Sequence, residues 1–385
     1  MKNRQMLIFF LIVFTIYAAA NTYIFIKGYR LFPEGRSSII YTISFLVAAS
    51  MFIAGKILER NHSGIISDIL NVAGGFWLAY MLYAVLLYAL SDIGFFTLRS
   101  TRLVHEGVLT DFRKWRFIGV NLLTVAVMVA GFINALSPVV KEYTVTTSGK
   151  IENEAGEVRI VAVSDIHLGS TIRRRSMKKL QGMIDSLKPE MVLLLGDIID
   201  GEIGPVLRHD LLSSFSCPPC REGVYGITGN HEYIGGIDKT ASYIRSRGIR
   251  LLEDEVVRTP SGITLIGRTD RDSFRFSQRS RKSLTDLMDM TYSGGPLIVM
   301  DHQPLSIDES VSNGIDLHLS GHTHNGQIWP LSLIITGMYE VPYGYRKMDN
   351  THIIVSSGYG LWGPRVRVGS RPEVVLIRMV QSLEH

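Results

Sequence analysis

The chain has 385 residues, of which 46% are hydrophobic, and its mean hydropathy is +0.19. This length exceeds one typical domain, and the composition is unusual for a purely soluble protein. The formal charge of +5 and the pI near 9.1 suit a surface that lies against anionic lipid or meets a phosphate group. No basic stripe interleaved with aromatic residues is present, so we expect no nucleic-acid partner.

The excess hydrophobic residues lie near the N-terminus, in four stretches that are long enough to cross a bilayer. The predicted spans are Met6 to Ile26, Ser38 to Gly55, Leu70 to Leu90 and Phe117 to Leu136. The first is longer than the hydrophobic region of a signal peptide, and no A-x-A site precedes a polar mature start, so we expect it to be retained. For the second and shortest span, the alternative is a buried helix of a soluble domain.

Three asparagines, Asn21, Asn71 and Asn121, lie inside these spans or near their ends. Polar groups within a membrane can mark a transport path. Because no charged side chain is well centred in a span, hydrogen bonding between helices explains the asparagines better.

The C-terminal half predicts an α/β domain, because short apolar runs alternate with helical stretches. Residues 1–140 form the predicted membrane domain, residues 141–156 a polar linker and residues 157–385 the compact domain. The predicted strands are Val158 to Val163, Met191 to Leu195, Val224 to Thr228, Ile263 to Ile266, Leu297 to Met300, Ile315 to Leu319, Ile353 to Ser356 and Val374 to Met379. Helical spacing is predicted from Arg175 to Leu187 and near Ile237 to Arg247.

The basic residues of the short loops predict the membrane orientation. The loops after the first and third spans carry Lys27, Arg30, Arg36, Arg99, Arg102, Arg113, Lys114 and Arg116. Six basic residues lie on the other side, namely Lys2, Arg4, Lys56, Arg60, Lys141 and Lys150. This small difference favours a multi-pass protein of the cell membrane whose termini, and hence whose α/β domain, lie outside the cytoplasm.

Five short polar clusters follow apolar runs of the α/β domain. They are Asp165 with His167; Gly196 with Asp197; Gly229 with Asn230, His231 and Glu232; His302; and Gly321 with His322 and His324. Each run reads as a buried strand, so these side chains are expected to gather along one edge of a sheet.

The order and spacing of these clusters resemble the calcineurin-like metallophosphoesterase superfamily, whose pattern is D-x-H, G-D, G-N-H-D/E, a lone His and G-H-x-H. The wording SDIHLG from Ser164 and SGHTHNGQ from Ser320 is similar to the membrane-associated bacterial branch that includes YkuE-like enzymes and UDP-2,3-diacylglucosamine hydrolases. The resemblance implies two facing mixed β-sheets flanked by helices, preceded here by an all-α transmembrane bundle. It also implies a metal-dependent phosphoric ester hydrolase.

Phosphoester cleavage is assisted by two cations about 4 Å apart, which neutralise the phosphoryl oxygens and acidify a bound water. Two ions that close need a shared anionic ligand, and the resemblance gives this role to Asp197. It implies one metal site at Asp165, His167 and His324, and a second at Asn230, His302 and His322, which also shares Asp197. Asp165 and His167, two positions apart, are expected to share one face of an extended chain. Mixed imidazole and carboxylate ligands suit Mn, Fe, Zn or Co.

His231 directly follows the ligand Asn230, and we expect it to contact the phosphate or to protonate the leaving group without binding metal. His231 and Asp197 are therefore the predicted catalytic residues. Asn230, His231 and Arg365 are the predicted substrate-binding residues. Glu232 is expected to orient His231 through a hydrogen bond.

Two further features leave alternatives open. Arg365 and Arg367 lie in one segment and could both face the substrate. Cys217 and Cys220 form a C-P-P-C sequence that lacks the context of a redox motif, so we expect either a disulfide that staples a loop or two inert thiols.

The sequence thus predicts a membrane-anchored, dinuclear-metal phosphoesterase that uses metal-activated water on a phosphoester or pyrophosphate bond. Its expected partners are a phosphorylated substrate, with a lipid or envelope precursor such as UDP-2,3-diacylglucosamine as the candidate, and membrane lipid. The alternative is a membrane transporter or sensor regulated by an attached phosphoesterase domain. A metal-binding module without catalysis is less consistent with the complete set of ligands and His231.

Overall fold

The structure is a computed structural model that describes residues 2–32, 34–100 and 106–382. It forms two compact units, Met1–Phe132 and Ile133–His385.

Four long helices precede the α/β domain: α1 (Lys2–Tyr29), α2 (Arg36–Asn61), α3 (Ile65–Ser100) and α4 (Glu106–Ala135). Each is long and apolar enough to cross a membrane. On α2, Ile39, Ile43 and Leu46 are exposed. A buried helix of a soluble domain would cover such side chains, so the outward apolar face favours a helix that contacts lipid.

Two of the three asparagines form hydrogen bonds between these helices. Trp77 of α3 donates to Oδ1 of Asn21 on α1 (3.0 Å), and Nδ2 of Asn121 on α4 donates to the hydroxyl of Tyr88 on α3 (2.8 Å). Within the part of the chain that the structure describes, the side chain of Asn71 makes no hydrogen bond. The explanation by interhelical hydrogen bonds therefore applies to Asn21 and Asn121.

The second unit contains twelve described strands, eight further described α-helices and a short 3₁₀ helix, His324–Gly326. The strands are β1 (Val139–Thr147), β2 (Glu157–Val163), β3 (Met191–Leu195), β4 (Gly223–Ile227), β5 (Arg250–Leu251), β6 (Glu255–Arg258), β7 (Thr264–Gly267), β8 (Leu297–Met300), β9 (Leu317–Ser320), β10 (Gly344–Met348), β11 (Thr351–Val355) and β12 (Glu373–Gln381). The helices are α5 (Arg174–Leu187), α6 (Gly204–His209), α7 (Asn230–Ile234), α8 (Ile237–Arg245), α9 (Ser273–Ser277), α10 (Leu284–Met288), α11 (Ile307–Ser312) and α12 (Leu331–Met338).

The strands form two six-stranded mixed sheets, in the orders β1-β12-β2-β3-β4-β5 and β10-β11-β9-β8-β7-β6. The sheets share a core that includes Ile160 and Leu193 from the first sheet and Ile298 and Leu319 from the second. Alternate residues of β2, such as Val161, pack on the opposite face in another core with α5. Both faces of the second half of β2 are thus covered, which is why residues 160–163 are all apolar. The predicted α/β fold with two helix-flanked mixed sheets is confirmed.

The region expected to be a linker differs from the prediction. Residues 141–147 belong to β1, which pairs in parallel with β12. This strand lies at the edge of its sheet and is largely half-exposed or exposed, so its polar residues need no burial. Polarity was therefore a poor guide to a linker here.

Candidate metal centre

The predicted metal ligands and His231 come together where strands of both sheets end. The first three clusters follow β2, β3 and β4 of one sheet, and the last two follow β8 and β9 of the other. The facing sheets thus bring five separate chain segments to one place.

Several of these residues have an uncommon backbone conformation. The φ angle is 52° at Asp165, 51° at His167, 51° at Asp197, 68° at His322 and 50° at His324. Non-glycine residues rarely adopt positive φ, and such positions concentrate at functional sites. The expectation of an extended chain at Asp165 and His167 is wrong, because the backbone turns at both residues after β2 has ended.

Glycines allow the ligand loops to pack closely. A Cβ at Gly229 would lie 2.2 Å from Oδ1 of Asp197, and one at Gly321 would lie 1.6 Å from Oγ of Ser164. Any side chain at either position would displace the loop that carries a predicted ligand.

One group of donor atoms consists of Asp165, His167 and His324, all buried, whose ligand atoms lie within 4.8 Å of one another. Nε2 of His324 is 3.3 Å from Oδ1 of Asp165 and 3.0 Å from Nε2 of His167. These three residues are the ones that the resemblance placed together in one metal site.

A second group consists of Asp197, His302 and His322. Oδ2 of Asp197 lies 3.2 Å from Nε2 of His302 and 3.8 Å from Nε2 of His167, so this carboxylate stands between the two groups. Asn230 lines a pocket together with Asp197 and His322, and its buried Oδ1 has no hydrogen-bond partner among the described residues. A buried amide oxygen without a partner is costly unless something else, such as a cation, binds it.

Two of the imidazoles are held with one nitrogen aimed into the site. Nδ1 of His302 lies 2.7 Å from the carbonyl oxygen of Leu195, and Nδ1 of His167 lies 3.2 Å from Oδ1 of Asp200. Both partners accept hydrogen bonds, so each Nδ1 carries a proton, and Nε2 of each ring faces the other candidate ligands. Histidines that bind metals are commonly oriented in this way.

At four of the candidate ligands the electrostatics favour the forms that bind a metal. His302 is the exception, since burial alone would lower its pKa but the charge of Asp197 raises it well above its ordinary value. Burial alone would raise the pKa of Asp165, but the neighbouring His324 and His302 outweigh it and hold this pKa below its usual range. Asp197 is likewise lowered, against its burial, mainly by the charge of His302. Burial lowers the pKa of His322 and of His324 to about 4. Ionised carboxylates and neutral imidazoles are the states that bind cations.

His231 lies beside the ligands but is oriented by a residue that sequence reasoning missed. Its Nδ1 is 3.2 Å from Oδ1 of Asp200, and its ring stands edge-to-face with that of His167 at 4.6 Å. Burial would lower the pKa of His231, but the charge of Asp197 and the hydrogen bond to Asp200 raise it to about 9. The sequence feature that could have identified Asp200 is its position, since it is a carboxylate three residues after Asp197 in the same loop.

The expectation that Glu232 orients His231 is wrong. The fully buried carboxylate of Glu232 accepts hydrogen bonds from the backbone amides of Gly229 (2.7 Å), Asp197 (3.0 Å) and Ile199 (2.9 Å). It therefore links the loops that follow β3 and β4. Both of its carboxylate oxygens accept hydrogen bonds from backbone amides.

The two C-terminal arginines differ in their surroundings. Arg367 is fully buried and donates to the carbonyl oxygens of Gly358 (3.0 Å) and Gly360 (2.8 Å), while its Nη2 lies 3.2 Å from Nδ1 of His324. The expectation that Arg367 faces substrate is therefore wrong, because it braces the loop behind a ligand. Arg365 is half-buried, and burial followed by the charge of Arg173 lowers its pKa. Its substrate contact stays a prediction.

The two cysteines, Cys217 and Cys220, form a disulfide between α6 and β4. Of the two alternatives left open, the loop staple is the one that the structure contains.

The metal groups open into a pocket of about 290 Å³. Its polar wall contains His167, Asp197, Asn230, His231, His322 and His324. Leu331, Ile335 and Trp362 supply an apolar wall. A reacting group in this pocket would meet the ligands on one side and hydrocarbon on the other.

Comparisons with known proteins identify the family of this chain. Residues 158–326 match the family described as calcineurin-like phosphoesterase. A Helicobacter pylori (strain J99) protein named as an uncharacterized metallophosphoesterase is 31% identical over 270 residues, which cover 68% of this chain and 70% of that protein. The chain belongs to the calcineurin-like metallophosphoesterase family. Members of this family use divalent metals. The predicted enzyme class, a metal-dependent phosphoester hydrolase, is therefore confirmed.

Two further relatives of this metallophosphoesterase extend the comparison. A Danio rerio protein named as a transmembrane protein with metallophosphoesterase domain is 30% identical over 273 residues, which cover 68% of this chain but only 62% of that protein. An Aquifex aeolicus protein named as an uncharacterized metallophosphoesterase is 29% identical over 240 residues, which cover 62% of this chain and 90% of that protein. Membrane association therefore fits both the four apolar helices and a relative. The bacterial branch named from the sequence stays a prediction.

Proposed function

We propose that the protein is a membrane-anchored phosphoesterase that holds two divalent metal ions and hydrolyses a phosphoester or pyrophosphate bond of a lipid-linked substrate. One observation carries the proposal. Asp197 stands between two groups of candidate ligand atoms and lines a pocket that has both polar and apolar lining residues.

Asp165, His167 and His324 would hold one ion, and Asn230, His302 and His322 the other, with Asp197 shared. The donor chemistry supports this set, since the buried Oδ1 of Asn230 has no hydrogen-bond partner among the described residues and the buried Nε2 of His302 faces Oδ2 of Asp197. Imidazole and carboxylate ligands together favour Mn, Fe, Zn or Co over Mg or Ca.

The metal ions, when bound, would neutralise phosphoryl oxygens and acidify water. The protein's own residues would then position the substrate and manage a proton. Nδ1 of His231 is engaged by Asp200, which leaves Nε2 to contact a phosphoryl oxygen or to donate a proton to the leaving group. Asn230 beside it would contact the same phosphoryl group.

The apolar wall supports a substrate with hydrocarbon chains. Leu331 and Ile335 of α12 line the pocket, and the same helix exposes Leu333 (67%), Ile334 (59%) and Met338 (63%). No residue of α12 is buried, so the helix contributes little to the core of its own domain. Contiguous exposed apolar side chains commonly mark a binding surface, and acyl chains would cover this one.

The membrane anchor supports the same class of substrate. Residues 136–138 alone separate α4 from β1, so the catalytic domain cannot diffuse away from a membrane that α4 crosses. The Cys217–Cys220 disulfide is typical of an oxidising compartment and, with the loop charges, supports a multi-pass protein whose catalytic domain lies on the outer side. UDP-2,3-diacylglucosamine, as a nucleotide lipid, would need a cytosolic site, so we propose the wider class of lipid-linked phosphoesters. The transporter or sensor alternative stays a prediction.

The test uses the purified full-length protein loaded with Mn²⁺. The panel pairs a lipid pyrophosphate with its deacylated analogue and adds a chromogenic monoester, a chromogenic diester and UDP-2,3-diacylglucosamine. We expect kcat/KM for the acylated pyrophosphate to exceed that for its deacylated analogue. Equal values would overturn the lipid assignment, and absence of hydrolysis across the panel by protein with bound metal would overturn the proposed enzyme.

A further inference from the structure

The membrane unit contains a cavity of its own, with a volume of about 450 Å³. It is lined by Lys27, Arg30, Leu31, Tyr88, Asp92, Phe95, Arg99, Arg113, Arg116 and Phe117. None of these residues belongs to the metal centre or its pocket. The cavity therefore requires an explanation separate from the proposed phosphoesterase.

Positive charge dominates the described lining of this cavity, with five basic side chains and one carboxylate. The carboxylate of Asp92 already has three partners. Nζ of Lys27 (2.5 Å), the hydroxyl of Tyr23 (2.5 Å) and Nη1 of Arg116 (2.8 Å) all donate to it. Asp92 therefore holds Lys27 and Arg116 in place but offers little charge to Arg30 or Arg113.

The basic residues come from separate segments that meet at one end of the helices. Arg30 directly follows the end of α1, Arg99 lies next to the end of α3, and Arg113 lies near the start of α4. Ends of membrane helices lie at the level of the lipid headgroups, where lysine and arginine meet phosphates. The cavity is therefore expected to lie at the level of the lipid headgroups, where it would meet their phosphates.

Size and wall chemistry narrow the class of ligand. The volume falls within the range of about 300–1,000 Å³ that is usual for small-molecule sites. Phe95, Phe117 and Leu31 form an apolar part of the wall beside the cations. One guanidinium group can donate hydrogen bonds to two phosphate oxygens at once. The apolar part of the cavity wall suits the first carbons of a glycerol or acyl group.

We propose that this cavity binds the phosphate group of an anionic phospholipid. Arg30 and Arg113 supply the contacts to the phosphate oxygens, while Lys27 and Arg116, fixed by Asp92, add positive charge behind them. The lipid held here is a resident of the membrane unit and is not the substrate of the metal centre. Free phosphate shares this chemistry, and the experiment separates the two sources.

The experiment is native mass spectrometry of the full-length protein in detergent, titrated with dioleoyl-phosphatidylglycerol, with dioleoyl-phosphatidylcholine or with inorganic phosphate. The test variant is Arg30→Gln/Arg113→Gln, which leaves all three donors to Asp92 in place. Its matched control is Arg36→Gln/Lys114→Gln, which removes two exposed charges, one at the start of α2 and one on α4 beside Arg113, from residues that do not line the cavity. Hydrolysis of a soluble chromogenic diester, which should equal that of the wild type, reports that each variant is folded.

We expect the wild type to bind phosphatidylglycerol in preference to phosphatidylcholine, and the test variant to lose affinity on the order of tenfold or more while the control changes little. Binding of inorganic phosphate in competition with phosphatidylglycerol would support the phosphate site and assign it to the free ion as well. Equal losses in the two double variants would show general surface attraction and overturn the cavity site. So would an unchanged affinity in the test variant, or no preference for phosphatidylglycerol.

Discussion

At the scale of single residues, the proposed site divides into side chains that would hold metal and side chains that would act on substrate. Asp197 contacts both ligand groups, whereas His231 contacts Asp200 and lines the pocket. Substitutions at these two residues should therefore have different effects.

We predict that Asp197→Ala abolishes turnover and lowers bound metal, because both proposed ions lose a charged ligand. His231→Ala should keep its metal and lower kcat by roughly 10²–10⁴-fold, the usual contribution of a positioned acid or base. Metal content by mass spectrometry and kcat with a chromogenic diester check both. An Asp197→Ala enzyme with two metals and normal turnover would contradict the bridging role.

Arg367 is predicted to stabilise the loop that supports His324. Arg367→Met should lower the free energy of unfolding by about 3 kcal/mol, because the carbonyl oxygens of Gly358 and Gly360 lose charged donors inside the protein. Arg365→Met, at a half-buried neighbour, is the control and should cost less. Denaturant unfolding of the full-length protein measures both, and an equal cost would show that burial of Arg367 is not what matters.

His318 predicts a pH dependence of stability that does not involve the candidate ligands. It is buried between the hydroxyls of Ser310 (2.8 Å) and Ser320 (3.0 Å), and burial lowers its pKa to about 4. The unfolded chain, with the ordinary value near 6.5, binds a proton first as the pH falls. His318 thus contributes stability above pH 6.5 that is lost as the pH falls towards 4.

We predict that His318→Gln flattens this part of the stability profile. Melting temperatures of wild type and variant, measured from pH 7.5 down to pH 4, should converge as the pH falls. Parallel curves would assign the acid sensitivity to other groups.

At the scale of elements, α12 stands out because it packs none of its residues into the core yet forms the apolar wall of the pocket. Its sequence of Leu, Ile and Met would suit a core helix, and only its neighbours show that it faces outward. The strand β1 is the opposite, because its polar sequence would suit a loop, yet it forms the edge strand of a sheet.

We predict that Ile334→Glu lowers kcat/KM for an acylated pyrophosphate and leaves hydrolysis of a soluble diester unchanged, because a charge on α12 opposes hydrocarbon binding. Thr336→Glu places the same charge on the same exposed helix at a polar position and serves as the control. If both variants lose lipid hydrolysis equally, charge alone is responsible, and the apolar surface of α12 has no special role.

At the scale of the whole molecule, the loop charges and the disulfide both support an outer catalytic domain. Because Cys217 and Cys220 are bonded and the chain has only two cysteines, a single introduced cysteine reports its own location. Ser280→Cys in the catalytic domain should react with a membrane-impermeant maleimide in intact cells, whereas Lys114→Cys near the start of α4 should react only after lysis. The opposite pattern would place the catalytic domain in the cytoplasm.

The sequence by itself determined the elements and residues whose signals are local. Apolar length predicted the four helices, short apolar runs predicted strands such as β3 and β8 within a residue or two, and five motifs named the residues now found around Asp197. These succeed because a buried strand and the polar turn after it are read from neighbouring positions.

Only the tertiary structure decided which distant groups meet. Asp200 behind His167 and His231, Arg367 behind His324, the outward face of α12 and the basic cavity all depend on contacts between separate segments. A sequence pattern records the type of a side chain, whereas its role is set by burial and by partners far along the chain. That is why Glu232, expected to orient His231, and Arg367, a candidate for substrate contact, instead form hydrogen bonds to backbone groups inside the protein.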